Sequence, residues 1–140
     1  MLADNITGLQ HLGLPVTNID QSKAFYKRLG FSETMVRELP QGDDVVRVVM
    51  LELNGFVLEL YQLIGDDLAE IRKRQHGHID HFALNVRDIQ ATWVAVQAAG
   101  LKILEDAPVF LPFWENGVHY FNILGPDGEK IEFNSIVPAP

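Results

Sequence analysis

The sequence contains no cysteine. Disulfides, thiolate metal ligands and a cysteine nucleophile are therefore excluded together, and any bound metal must be held by nitrogen and oxygen. No stretch approaches the roughly 20 consecutive apolar residues that a membrane-spanning helix needs. The opening residues MLADNITG carry no basic region followed by an apolar run, so nothing marks the chain for secretion. A cytoplasmic protein with no membrane partner is the default expectation. Positive charge is also scarce, with 11 Lys and Arg against 19 Asp and Glu and a formal net charge of −8. Because binding to phosphate backbones runs on Lys and Arg, nucleic acid is not an expected partner. The single basic cluster, Arg72, Lys73 and Arg74, follows Asp66, Asp67 and Glu70 and reads as a solvated helix face.

What is present fits one compact domain spanning residues 1–140. At 140 residues and 47% hydrophobic composition the chain can bury a core without staples. The dominant feature is an internal repeat. An offset of 70 residues lays LQHLGLPVTNID, from Leu9, over IDHFALNVRDIQ, from Ile79, and brings His11 onto His81 and Gly30 onto Gly100. Further on, an offset of 73 lays LELNGFVLEL, from Leu51, over LGPDGEKIEF, from Leu124, and brings Glu59 onto Glu132. A short loop insertion accounts for the difference.

Each copy starts with an apolar strand, HLGLPV or HFALNV, that leads into a helix start signal at Asn18 and Asp20 or at Asp88. The stretches QSKAFYKRLG and QATWVAVQAAG have helical composition and end on glycines suited to a left-handed cap. Strands are predicted at 32–39, 45–53 and 56–63 in the first copy, and at 102–109, 118–124 and 129–136 in the second. Asn54-Gly55 and Asp127-Gly128 are hairpin signals. The predicted fold class is α+β, two βαβββ modules at about 6–64 and 78–137, joined by a linker helix within about 65–77.

Side chains two apart in a strand share a face. Leu12, Leu14 and Val16 belong under the helix, which turns His11 to the other side, and the same count turns His81 away from its helix. A two-residue turn at Asn54-Gly55 pairs Met50 with Glu59 and places both on the His11 side. A second two-residue turn would place Glu132 with Ile123, Phe121 and His119. The face is too apolar to be simply solvated, and a buried carboxylate is costly there unless paired or metal-bound. Two His and two Glu recurring at matched places favour a divalent cation on His11, Glu59, His81 and Glu132 over two core histidines and two surface glutamates. Ni, Co, Zn, Fe or Mn suits such a set. Met50, Phe121, His119 and Trp114 are the candidate substrate-binding residues. His119 would contact substrate or relay a proton, with a hydrogen-bonded structural role as the alternative. The aromatic run FLPFWENG, from Phe110, is either a lid or a dimer contact.

At these residues the sequence resembles the vicinal oxygen chelate superfamily, which includes glyoxalase I, methylmalonyl-CoA epimerase, extradiol dioxygenases, fosfomycin-modifying enzymes and bleomycin-binding proteins. The carriers are HLGLPVTNIDQSKAFYKRLGF, LNGFVLEL, HFALNVRDI and GPDGEKIEF, which span Leu9 to Asn134. The resemblance implies a paired-sheet cup with one divalent metal, two of whose positions stay open to water or substrate oxygens. It also implies that Glu132 acts as the catalytic base and that Glu59 serves as ligand or second base. The expected activity is that of a metal-dependent isomerase or lyase of the glyoxalase I-like type, acting on a small oxygen-chelating substrate by enolate or alkoxide stabilisation. Its alternatives are an antibiotic-binding resistance protein, a methylmalonyl-CoA epimerase-like enzyme and a dioxygenase. Pro15 and Leu63 stand where glyoxalase I has an arginine and an asparagine, which argues against glutathione. Apolar residues such as Met50 and Val57 on the metal-bearing faces must be covered by a second module, within the chain or from a neighbour, which leads to the expectation of a homodimer.

Overall fold

The computed structural model describes residues 2–28, 30–74, 79–124 and 130–140. The expected Asp127-Gly128 turn and the histidines at 76 and 78 lie outside the described residues. In chain order the elements are α1 (Leu2–Asn5), β1 (Ile6–Pro15), α2 (Ile19–Arg28), β2 (Ser32–Gln41), β3 (Asp44–Leu53), β4 (Phe56–Gln62), α3 (Gly65–Lys73), β5 (His81–Val86), α4 (Ile89–Ala98), β6 (Lys102–Ile103), β7 (Val109–Leu111), β8 (Val118–Leu124) and β9 (Lys130–Ile136). The chain divides into two compact units, one of residues 11–80 and one of residues 1–10 with 81–140. Both have the α+β, βαβββ order read from the repeat, with β7 added in the second.

In the unit of residues 11–80 the strand order is β2-β3-β4-β1. Asn54 and Gly55 both have positive φ, 53° and 83°, as a two-residue type I′ turn requires. The turn sets the register, pairing Leu53 with Phe56 and Met50 with Glu59. β1 runs parallel to β4 with Gly13 opposite Glu59. Alternation then puts Leu12 and Leu14 with Leu58 and Leu60 under α2, where they pack with Ile19, Val49 and Leu51. Each fully buried aliphatic side chain of this cluster contributes about 1.5–3 kcal/mol.

Both main helices begin and end as their local sequence requires. Gln21 N donates to Asn18 Oδ1 at 3.0 Å and Ala91 N to Asp88 Oδ1 at 2.9 Å, satisfying amides that a helix start leaves open. At the far ends Gly30 and Gly100 take φ of 104° and 67°. There Phe31 N reaches Tyr26 O and Leu101 N reaches Val96 O, which closes the last carbonyls in the Schellman manner.

In the other unit β5, β9, β8 and β6 follow in that order and β7 pairs with β8. Residues 6–10 of β1 lie beside β5, where Thr7 Oγ1 donates to Asn85 O and accepts from Asn85 Nδ2. The single strand expected at 102–109 is broken into β6 and β7. Glu105 is the reason: its carboxylate accepts from Asn122 N at 2.6 Å and from Asn122 Nδ2 at 2.7 Å, replacing a backbone ladder partner with a side chain. Pro108, which has no N–H to offer, precedes the resumed pairing of Val109 with Tyr120.

The second hairpin departs from its expected register by one residue. Leu124 pairs with Lys130, so five residues, 125–129, separate the last pair instead of two. Glu132 consequently lies opposite Asn122, while Phe121 lies opposite Phe133 and Ile123 opposite Ile131. This register puts all four apolar residues under α4, in a core with Val86, Ile89 and Val96. A slip of one residue exchanges the two faces of a strand, and here burial of the apolar set decides which register wins.

Candidate functional site

Each unit carries one histidine–glutamate pair on the sheet face away from its helix, with His11, His81 and Glu132 buried and Glu59 partly so. In the unit of residues 11–80, His11 is 1% exposed and its Nε2 stands 3.7 Å from Glu59 Oε2. The parallel β1–β4 register brings them together, since His11, Gly13 and Pro15 share a face with Val57, Glu59 and Tyr61. Met50, fully buried, lies opposite Glu59 as the Asn54-Gly55 turn dictates. Tyr61 continues the face, and burial together with the nearby Asp80 carboxylate pushes its phenol far up.

In the other unit His81 Nε2 stands 3.4 Å from Glu132 Oε2, and both residues are 7% exposed. The β5–β9 pairing places Ala83 opposite Glu132 and His81 opposite Lys130, so the two ligand candidates share a face. In both pairs the nitrogen–oxygen separation exceeds the roughly 2.7–3.2 Å of an N–H···O hydrogen bond. Burial raises the Glu132 carboxyl above the ordinary carboxylate range and Glu105 adds to the rise, while His81 and a hydrogen bond from Asn134 oppose it.

Asn134 Nδ2 donates to Glu132 Oε1 at 2.7 Å, which commits one carboxylate oxygen and leaves Oε2 on the His81 side. Asn122, opposite Glu132 in register, is itself fixed by Glu105. Turning either amide over would set a carbonyl against a carboxylate, so both orientations are determined. The Asn122 and Asn134 carbonyl oxygens are buried with no hydrogen-bond partner among the described residues.

The four metal-ligand candidates thus fall into two pairs, one in each unit, at equivalent places in the repeat. Two of the expected substrate contacts are corrected by the register of the second hairpin. Phe121 is fully buried under α4, its ring 4.9 Å from that of Trp93, and cannot line the Glu132 face. His119 lies on the same side as Phe121, its ring centroid 5.3 Å from that of Phe110 in a tilted contact. Tyr120 and Asn122 take the places expected for them. Trp114 sits in the 112–117 loop with φ of 54° and its ring 6.1 Å from that of Phe113. Sequence reasoning missed Asn122, Asn134 and Glu105; the apolar pairing of Phe121 with Phe133 was the signal that could have found the first two.

Two His–Glu pairs at matched places on duplicated βαβββ units define a class of protein, and the sequence match agrees with it. The chain belongs to the glyoxalase/bleomycin resistance protein/dioxygenase superfamily, whose family model matches residues 8–133. It is 28% identical over 125 residues to YwbC, an uncharacterized protein of Bacillus subtilis, a match covering 89% of this chain and 94% of that one. It is 24% identical over 105 residues to the mitochondrial methylmalonyl-CoA epimerase of Bos taurus, covering 73% of this chain and 59% of the epimerase. Among solved structures, a single-substitution variant of the Streptomyces coelicolor methylmalonyl-CoA epimerase, in complex with 2-nitronate-propionyl-CoA, superposes with a TM-score of 0.77 at 21% identity, covering 95% of this chain and 99% of that one. That likeness establishes the vicinal oxygen chelate fold.

Proposed function

We propose that the protein is a metal-dependent isomerase, in which His11, Glu59, His81 and Glu132 would together hold one divalent ion that binds a small oxygen-bearing substrate. The observation that carries this reading is the pair of His–Glu contacts at 3.7 and 3.4 Å, repeated at matched positions in both units. The donor set suits the ion, since two imidazole nitrogens and two carboxylate oxygens are the ligand types that Ni, Co, Zn, Fe and Mn accept. When bound, such an ion polarises a substrate carbonyl and so acidifies the adjacent carbon.

The remaining chemistry belongs to the chain's own residues. Glu132, whose carboxyl burial makes more basic than usual, accepts the proton from that carbon. Asn134 holds Glu132 Oε1 and so fixes the oxygen that does the work. Glu59, in the matching position of the other unit, delivers a proton to the same carbon. The epimerase relatives favour a thioester of coenzyme A as the substrate class, and Pro15 and Leu63 disfavour glutathione. We further propose that the two modules work as one domain in a homodimer with two equivalent sites.

Solvent deuterium exchange at the carbon next to the carbonyl of a 2-substituted malonyl thioester tests the reading directly. The metal-loaded protein should catalyse exchange. Glu132→Gln, assayed at a metal concentration that keeps the site loaded, should abolish it, because loss of the proton acceptor removes the step. A protein that binds the thioester but never exchanges the proton would be a sequestering module instead. Elemental analysis of protein purified without chelator should find about one divalent ion per site, and His81→Ala should lower its affinity at least about tenfold.

A further inference from the structure

Within the unit of residues 11–80, the end of β1, one face of α2 and the end of α3 line an open cavity of about 430 Å³. Leu14 and Val16, on the helix side of the sheet, line it together with Pro15, and none of the four metal-ligand candidates does. Spacing explains how the walls form. Gln21 and Phe25, and likewise Ser22 and Tyr26, are four apart on α2 and share a face, and Ile71 and Arg74 are three apart at the end of α3. Phe25 remains 54% exposed and its ring meets that of Tyr26 edge-on at 5.2 Å, which leaves an aromatic wall with no apolar neighbour covering it fully.

The lining is apolar apart from Thr17, Gln21, Ser22 and one charged residue, Arg74. Arg74 acts electrostatically on the Tyr61 phenol, which Asp80 also faces, and no carboxylate among the described residues lines the cavity. The volume falls within the roughly 300–1,000 Å³ of small-molecule sites.

We propose that this cavity binds a small amphipathic carboxylate, with its apolar chain against Leu14, Val16, Phe25 and Ile71 and its anionic end on the Arg74 guanidinium. The site is separate from the four proposed metal ligands and needs no metal. Carboxylate binding by a guanidinium is charge-assisted and bidentate, so it outweighs the neutral contact that an alcohol of equal length would make.

Calorimetric titration of the intact, chelator-treated protein with octanoate, octanol and octylamine tests this, since chelation removes any carboxylate binding at a metal. Octanoate should bind at least about tenfold more tightly than octanol, and octylamine more weakly than either. Arg74→Gln should bring octanoate down to the octanol level. Ser22→Trp should fill the cavity and abolish binding of both, and Phe25→Ala, which removes an exposed wall and spares the core, should weaken both. Equal affinities for octanoate and octanol in the unsubstituted protein, or octanoate binding that survives Arg74→Gln, would overturn the anionic assignment. Octanoate binding unchanged in both Ser22→Trp and Phe25→Ala would overturn the site itself.

Discussion

Replacing Phe121 by Ala separates a core role from a substrate-binding one. Phe121 is fully buried, and its ring lies 4.9 Å from Trp93 in a T-shaped contact and 5.2 Å from Phe133. Truncating a buried Phe to Ala costs about 3–5 kcal/mol through lost transfer energy and the cavity left behind. The two aromatic contacts put this site toward the upper end, since such pairs add about 0.5–1.5 kcal/mol each. Against a total stability of roughly 5–15 kcal/mol, the variant should unfold about 10–20 °C lower and at a correspondingly lower urea concentration. The milder Phe121→Leu should lose less than half as much and leave thioester affinity unchanged when both proteins are folded. Thermal and urea unfolding followed by circular dichroism give the first number, and calorimetric titration gives the second. A stability loss below about 1 kcal/mol, accompanied by weakened thioester binding, would refute the register that places Phe121 under α4.

Other parts of the molecule carry three further expectations. Burial raises the Glu132 carboxyl, so the metal-free native state keeps this proton to higher pH than the unfolded chain does. The group's stabilising contribution is therefore complete below its unfolded value of about 4.3 and declines as pH rises through the native value, and Glu132→Gln should flatten that decline in urea midpoints measured with EDTA present. Gly117 has φ of 96°, and a Cβ there would run into the Phe110 ring, so Gly117→Ala should cost about 1–3 kcal/mol in denaturant titration. Sedimentation at micromolar concentration should report twice the chain mass. Mixing His11→Ala with His81→Ala protein should restore one metal site per heterodimer if each site draws on two chains, and a stable monomer that retains metal would refute the dimer.

The repeat alone determined much of this protein. Matching His11 to His81 and Glu59 to Glu132 required only that the chain be laid over itself. Alternation then assigned His11 to the face away from α2, because Leu12 and Leu14 had to meet the helix. The Asn54-Gly55 dipeptide fixed the β3–β4 register in advance, since its two positive φ angles admit one tight turn. The alternation and the turn are local: each depends on residues within a few positions of one another. The β8–β9 register was different. Asp127-Gly128 carries the same turn chemistry, yet the strands pair across five residues, and the choice rested on burying Phe121, Ile123, Ile131 and Phe133 together under α4. That contest between turn preference and core burial is settled only when the sheet meets its helix. The same packing brought Asn122 and Asn134 beside Glu132, and it let Glu105 interrupt the strand between β6 and β7. The cavity beside Arg74 has the same origin, since it joins the end of β1 to a turn of α3 more than fifty residues away in the chain, and no local pattern brings those segments together.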